Sequence, residues 1–357
     1  GGGTHPRAPS SSGGGAGTVS FTTGTTTLSG GYTVTGTTSV TGGTVDFNSA
    51  TTSTTGNLAL GGGTVGGTGL LSVTGTMDWT GGTLSGSGTT RVESTGTLSL
   101  AGTTKQLNTG YTLQHAGTGT WTAGVIYSGG GASFSILSGA SFAIQADVSF
   151  FYNLGGAVPI LTNAGTLTRS TTTGTASIGV QFTNAATGTV SVTNGTLSLS
   201  NTGTWNGSAT VASGAFLDFA SGTHTLANGF AVSGAGTAQV TSGTVTVGGT
   251  DIATFAQFAQ SGGTLSGTGT LRATNLTWTG GQMVDAGRTE VPALGTLSLS
   301  GTTKQLNTSR ILELGGTGTW TAGSIYSGGG ASFSILSGAS FAIQADVSFF
   351  YNLGGAV

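Results

Sequence analysis

Side chains able to do acid–base or metal chemistry are few and scattered in this chain of 357 residues. Its ten carboxylates are Asp46, Asp78, Glu93, Asp147, Asp218, Asp251, Asp285, Glu290, Glu313 and Asp346. Glycoside hydrolysis needs two carboxyl groups about 5–10 Å apart. In sequence only Asp285 and Glu290, which flank Arg288, come near each other, and they read as a solvated turn. A polysaccharide lyase would want clustered Asp for calcium beside a basic residue, a pattern that does not occur. His5, His115 and His224 stand alone, without metal-ligand spacing. The calcium-binding nonapeptide GGxGxDxUx is missing. Ser128-Gly129-Gly130-Gly131 lacks a following Gly-Lys-Ser/Thr and reads as a turn rather than a phosphate loop. No serine has a plausible His/Asp pair for nucleophilic catalysis. Lys105 and Lys304, each within GTTKQLN, read as solitary charges on a solvated face. The pattern predicts no catalytic, cofactor-binding or metal-ligating residue, and hence a non-enzymatic protein without a cofactor.

Aromatic residues are the better candidates for binding, because sugars stack on exposed rings. Tyr127 and Tyr326, each just before an SGGG turn, are the candidate glycan contacts. The five tryptophans, Trp79, Trp121, Trp205, Trp278 and Trp320, share one local word and read as packing residues at a corner. Phe134, Phe142 and Phe150 alternate with small residues and read as core. Local Thr-x-Thr words at 25–27, 33–35, 166–168 and 244–246 raise an ice-binding reading. Their irregular spacing counts against it, since an ice-binding face needs one rank of Thr repeated on every coil.

The elements that must carry these residues follow from composition and period. Gly and Thr number 71 each, only 5% of residues are charged, the formal net charge is −2 and there is no Cys. Collagen, disulfide scaffolds and charged disordered tails are thereby excluded. Eight Lys and Arg cannot supply a nucleic-acid-binding stripe, and no run approaches the ~18 apolar residues of a membrane span. Words such as Gly-Thr-Leu-Ser-Leu at 96–100, 195–199 and 295–299 alternate polar and apolar residues, as a strand with one buried face does. Gly, Asn or Ser then supplies a turn. The stretch Ile252 to Gln260 is the one place read as a short helical turn or loop. The step from Trp79 to Trp121 equals that from Trp278 to Trp320, and the step from Trp121 to Trp205 is twice as long. Half of the common step predicts coils of roughly 20 residues. The step from Trp205 to Trp278 is no such multiple, which predicts one irregular coil between them.

Strands this short and Gly-rich bury too little to stand alone. Stacked in parallel, they pair above and below and share one core. The expected fold is therefore all-β, a right-handed parallel β-helix (β-solenoid). About 17 rungs at ~4.8 Å each would make a rod on the order of 80 Å. A chain of β-sandwich modules of about 100 residues is the alternative, suggested by the spacing of GTLSL, but linkers between modules are not evident.

Residues 97–158 and 296–357 align at an offset of 199, with 54 of 62 positions identical. Weaker similarity extends upstream, so the chain reads as a flexible Gly/Ser/Pro lead-in at 1–15 and one continuous solenoid at 16–357. That solenoid holds about 1.7 copies of a unit of about 200 residues. The second copy stops where the first runs on into Pro159, so the chain is expected to be a piece of a longer protein cut mid-repeat.

The words GTLSLSNTGTWNGSATVASGAFLDFASGTHTLANG (195–229), SGGTLSGTGTL (261–271), NLTWTGG (275–281) and GTLSLSGTTKQLNT (295–308) carry a likeness. They resemble the repeats of giant bacterial surface proteins, similar to filamentous-haemagglutinin and autotransporter-type β-helical adhesins. The resemblance implies a structural rod or adhesin segment of a large secreted or cell-surface bacterial protein. Its expected partners are surface polysaccharide or a host or neighbouring cell surface, with no nucleic acid and no membrane span in this segment. End-to-end self-association is expected from an open terminal rung. A polysaccharide-binding or polysaccharide-degrading β-helix is the alternative, and an ice-binding solenoid the lesser one.

Overall fold

The computed structural model describes residues 4–7, 13–352 and Gly354. All regular elements among them are strands of three to nine residues. The chain divides into two compact units, 1–183 with 187–189 and 184–186 with 190–357. Each is a parallel β-solenoid with three strands per coil. One coil carries the chain from Thr76 to Thr97, and the next from Thr97 to Thr118, each residue pairing with its successor.

The first unit shows how alternation becomes a core. One inward rank climbs through Phe21, Val40, Leu60, Trp79, Leu100, Trp121, Ile144 and Arg169, each in register with the next. The second unit carries the rank Leu199, Phe219, Val240, Gln260, Trp278, Leu299, Trp320 and Ile343. A strand such as Thr97–Leu100 turns Leu98 and Leu100 inward, both fully buried, and Ser99 outward. Its backbone bonds to the strands one coil before and one coil after, so a four-residue element persists without a hairpin partner.

Glycine sets how closely coils approach. Gly119 lies in an inward position between Leu98 and Phe142. A Cβ there would lie 2.6 Å from the Phe142 ring and 2.9 Å from the His115 imidazole, so the missing side chain makes room for both. At the neighbouring corner, a Cβ on Gly117 would fall 2.0 Å from the Gly96 carbonyl.

Three sequence expectations change. Ile252–Gln260 is a nine-residue strand rather than a helical turn or loop, pairing along its length with Thr270–Trp278. Its inward residues Ala253 and Phe255 shift phase to Phe258 and Gln260 where the coil bends, which hides the period of two. The stretch read as a flexible lead-in contains strands at Thr4–Arg7 and Gly13–Gly15, in register with 25–28 and 32–34. Backbone pairing asks nothing of the side chains, so Gly-rich sequence can join a ladder; residues 1–3 and 8–12 lie outside the described residues. Finally, the odd step from Trp205 to Trp278 reflects a change of face as well as one short coil, from Gln260 to Trp278. Trp205 pairs with Leu226, and Leu226 with Val247, on one face, whereas Trp278 belongs to the rank through Leu199 on another.

The duplicated words separate burial within a coil from burial between coils. Ile144 is 1% exposed beneath the strand Thr166–Arg169, whereas Ile343, in the same words with no described coil above it, is 63% exposed. Ile136 and Ile335 differ likewise, at 0% and 50%. Ile144→Ala should therefore destabilise the chain by about 2–4 kcal/mol, the cost of a buried cavity. Urea unfolding followed by circular dichroism measures it; an unchanged midpoint would remove Ile144 from the core.

Candidate functional site

Several groups capable of chemistry are absorbed by the coil itself. Lys105 and Lys304 do not lie on a solvated face: both are fully buried. The Lys105 ammonium donates to the carbonyls of Thr103 at 3.0 Å and Ala123 at 3.1 Å, and Lys304 binds those of Ser300, Thr302 and Ala322. The Trp121 and Trp320 indole N–H groups share the carbonyls of Ala123 and Ala322, so each lysine closes a corner together with a tryptophan one coil on. Burial pushes the Lys105 ammonium down to about 8 and lowers Lys304 too. A side chain long enough to reach carbonyls at a corner can sit inward in a rank of aliphatics, and one lysine in a polar word gives no hint of it.

Arg169 and Arg310 are also buried. The Arg169 guanidinium meets the Asp147 carboxylate at 2.5 Å and the hydroxyl of Thr172 at 2.7 Å, and Thr172 in turn donates to Asp147. Asp147, whose copy in the second unit is Asp346, is thus the counter-charge of a core cation. Arg310 donates to the Thr289 hydroxyl and the carbonyls of Gly267 and Arg288. Its position in the first unit is taken by Tyr111, whose hydroxyl bonds to Thr90 at 2.8 Å. The two copies thus place different polar groups on the same threonine.

His115 and His224 are core residues. His115 lies against Phe142 with Nε2 3.1 Å from the Ser141 carbonyl oxygen. His224 lies against Phe219 with Nε2 3.0 Å from that of Ser221. Burial lowers both, His224 to about 4. Among the described residues, no three or more His, Cys, Asp or Glu gather where they could hold a metal ion.

The carboxylates that flank Arg288 in sequence do not form a pair. Asp285 accepts from the backbone N–H of Gly267 at 2.8 Å, and Glu290 is bound by Arg272 at 3.0 Å. The register instead sets Glu290 beside Glu313, one coil on, and Arg288 holds Glu313 through both oxygens at 2.9 and 2.7 Å. Each glutamate is committed to its own arginine. The first unit has Arg91 and Gln114 at these two positions, so this ion ladder is private to the second.

The tryptophans are core packing, none more than 3% exposed. Trp205 meets Phe219 and Phe230 edge-on, with centroids at 5.6 and 5.3 Å.

Tyr127 and Tyr326 do lie outward, and register reveals their neighbours. In the first unit one outward rank runs Thr25, Thr44, Thr64, Thr83, Gln106, Tyr127, Phe151. In the second it runs Thr223, Thr244, Thr264, Gln282, Gln305, Tyr326, Phe350. Tyr127 stacks on Phe151 with centroids 6.0 Å apart and planes at 30°; Tyr326 stacks on Phe350 at 5.2 Å and 19°. Beside the second pair, Thr264, Gln282, Thr303 and Gln305 line a shallow groove of about 450 Å³ floored by Gly263 and Gly281. Sequence spacing hid these ranks because coil length varies from rung to rung. The same register aligns Thr residues that look irregular in sequence, but the adjoining rank in the first unit reads Thr27, Asp46, Gly66, which is no regular Thr array.

No protein-family model matches the chain, and no curated protein matches it. Among solved structures it is similar to the crystal structure of a TibC-catalysed, hyper-glycosylated fragment of TibA, residues 55–350. The two are 18% identical; the alignment covers 79% of this chain and 94% of that one, with a TM-score of 0.32. The fold described above rests on the registers within the chain.

Two measurements test these assignments. Asp147→Asn leaves the buried Arg169 guanidinium without its counter-charge and should cost about 2–3 kcal/mol, less than a fully buried pair because Asp147 is half-exposed. Urea unfolding checks this, and an unchanged midpoint would remove Asp147 from the core. His224 stays neutral when folded down to about pH 4, whereas the unfolded chain takes up a proton near pH 6.5. Its contribution to stability is present above the higher value and falls as the pH drops towards the lower. His224→Leu should therefore lose less in melting temperature than the parent chain between neutral pH and pH 4; equal losses would refute the buried neutral imidazole.

Proposed function

We propose that this chain is a non-enzymatic structural segment, a rod or adhesin stretch of a large secreted or cell-surface bacterial protein. The observation that carries the reading is the inward rank in each unit, Phe21 to Arg169 and Leu199 to Ile343, in register at every step. A stack bonded rung to rung resists bending, because each coil is held by three ladders at once. The use of Lys105, Lys304, Arg169, Arg310, His115 and His224 as core donors and packing groups supports it further. Residues that an enzyme would hold at a surface are spent inside. Repetition of near-identical words suits a protein whose useful variable is length, and the likeness of those words to giant surface proteins points to a position outside the cell.

Hydrogen–deuterium exchange of the purified chain tests the stack. Amides of strands with a coil on each side in either unit, such as Thr97–Leu100 and Thr296–Leu299, should exchange slowly; fast exchange there would overturn the reading.

A further inference from the structure

We propose that the outward rank containing Gln–Tyr–Phe is a binding strip for an extended neutral polysaccharide, present once in each unit. This deepens the adhesin reading and rests on it. Its parts are Gln106, Tyr127 and Phe151 in the first unit, and Gln305, Tyr326 and Phe350 in the second, each continued by threonines on the preceding rungs.

Three observations converge. The rings are partnered yet accessible: Tyr127 stands between Gln106 and Phe151 with its edge outward, and Phe151, 40% exposed, is followed on the next rung by Gly179, which has no side chain to cover it. Carbohydrate rings are recognised in this way, with C–H faces against an aromatic plane and hydroxyls on amide and hydroxyl groups at its edge. Gln106 and Gln305 supply donor and acceptor together on the rung next to the tyrosine. In the second unit a groove lined by Gln282, Gln305, Thr264 and Thr303 lies on that side, and the Gln282 amide already donates to the Thr264 hydroxyl at 2.9 Å.

Charge selects the ligand class. No Asp, Glu, Lys, Arg or His stands in either rank from Thr25 to Phe151 or from Thr223 to Phe350, and Lys105 and Lys304 on the same strands point inward. An anionic glycan would find no cation here. Shape selects an extended chain: seven rungs in register make a strip of about 30 Å. Backbone selects against a peptide, because in the first unit these strands are paired on both sides and offer no free ladder for an added strand. The Gln–Tyr–Phe order and its ring stacking occur in both units, while the rung before holds Thr83 in the first and Gln282 in the second.

Affinity electrophoresis of the full chain through gels containing mannan, xyloglucan, dextran or hydroxyethyl cellulose is the test. At least one of these neutral polysaccharides should retard the chain, to the same degree at low and high salt. Tyr127→Ala combined with Tyr326→Ala should weaken retardation about tenfold, the loss of one ring contact at each site. Gln106→Ala with Gln305→Ala should weaken it as well, with circular dichroism unchanged in both variants. Absence of retardation by all four polymers would overturn the proposal, as would binding indifferent to these variants. Retardation by these uncharged polymers that salt abolishes would mean that neutral-sugar contacts do not carry it, and thermal hysteresis without polysaccharide binding would identify a water-ordering face; either outcome also overturns it. Slow exchange of the stacked amides depends on none of these side chains, so the structural segment and the glycan strip can fail separately.

Discussion

Everything in this molecule depends on the parallel backbone ladder between successive coils. Each strand of about four residues is too short to be stable alone, and its apolar side chains bury against the coils above and below as well as across its own coil, as Phe134 does against Phe142. The matched isoleucines of the two copies show the point directly: identical words are core under a following strand and half-open without one. Because the ladder is made by backbone groups, it tolerates a composition dominated by Gly and Thr. It also draws Gly13–Gly15, with no side chains at all, into the sheet.

That constraint explains where the unusual polar residues went. A corner between strands leaves carbonyl oxygens turned towards the core, and a buried acceptor without a donor is costly. Lys105, Lys304 and the indoles of Trp121 and Trp320 answer it from inside. The cost of burying an ammonium is offset by two or three carbonyls only in part, which is why its proton is held less firmly than usual. Arg169 and Arg310 follow the same logic on other rungs, one neutralised by Asp147 and the other satisfied by a threonine and carbonyls. With so few charges in the sequence, burying four of its cations leaves the outer faces sparsely charged with acids in excess, and it is the absence of charge from the Gln–Tyr–Phe ranks that frames the proposed preference for an uncharged glycan.

Duplication adds a comparison built into one chain. The copies keep the aromatic stack, the lysine corner and the outward tyrosine, while changing Tyr111 to Arg310, His115 to Leu314 and Gln114 to Glu313. The first two changes remain inside and preserve burial. The third lies outside and joins a new ion ladder with Arg288 and Glu290. The strip from glutamine through tyrosine to phenylalanine is unchanged on an exposed surface, where packing alone places little demand on residue type.

By itself the sequence determined the class of element and the coil. Alternation in Gly-Thr-Leu-Ser-Leu showed strands with one buried face, the tryptophan spacing measured the length of a coil, and the phenylalanines of the duplicated block announced a core. It also singled out Tyr127 and Tyr326 as outward rings. These features are local, or recur at a fixed interval, so they survive in one dimension. Tertiary structure alone decided which residues share a rank. Coil lengths vary, so the partner of Tyr127 could be Phe151 only once the register was known, and Glu290 meets Glu313 rather than Asp285 for the same reason. It also decided the fate of the lysines and histidines, because a polar side chain in a Thr-rich word looks solvent-bound until a neighbouring coil closes over it. Only stacking says which carbonyl it will find there.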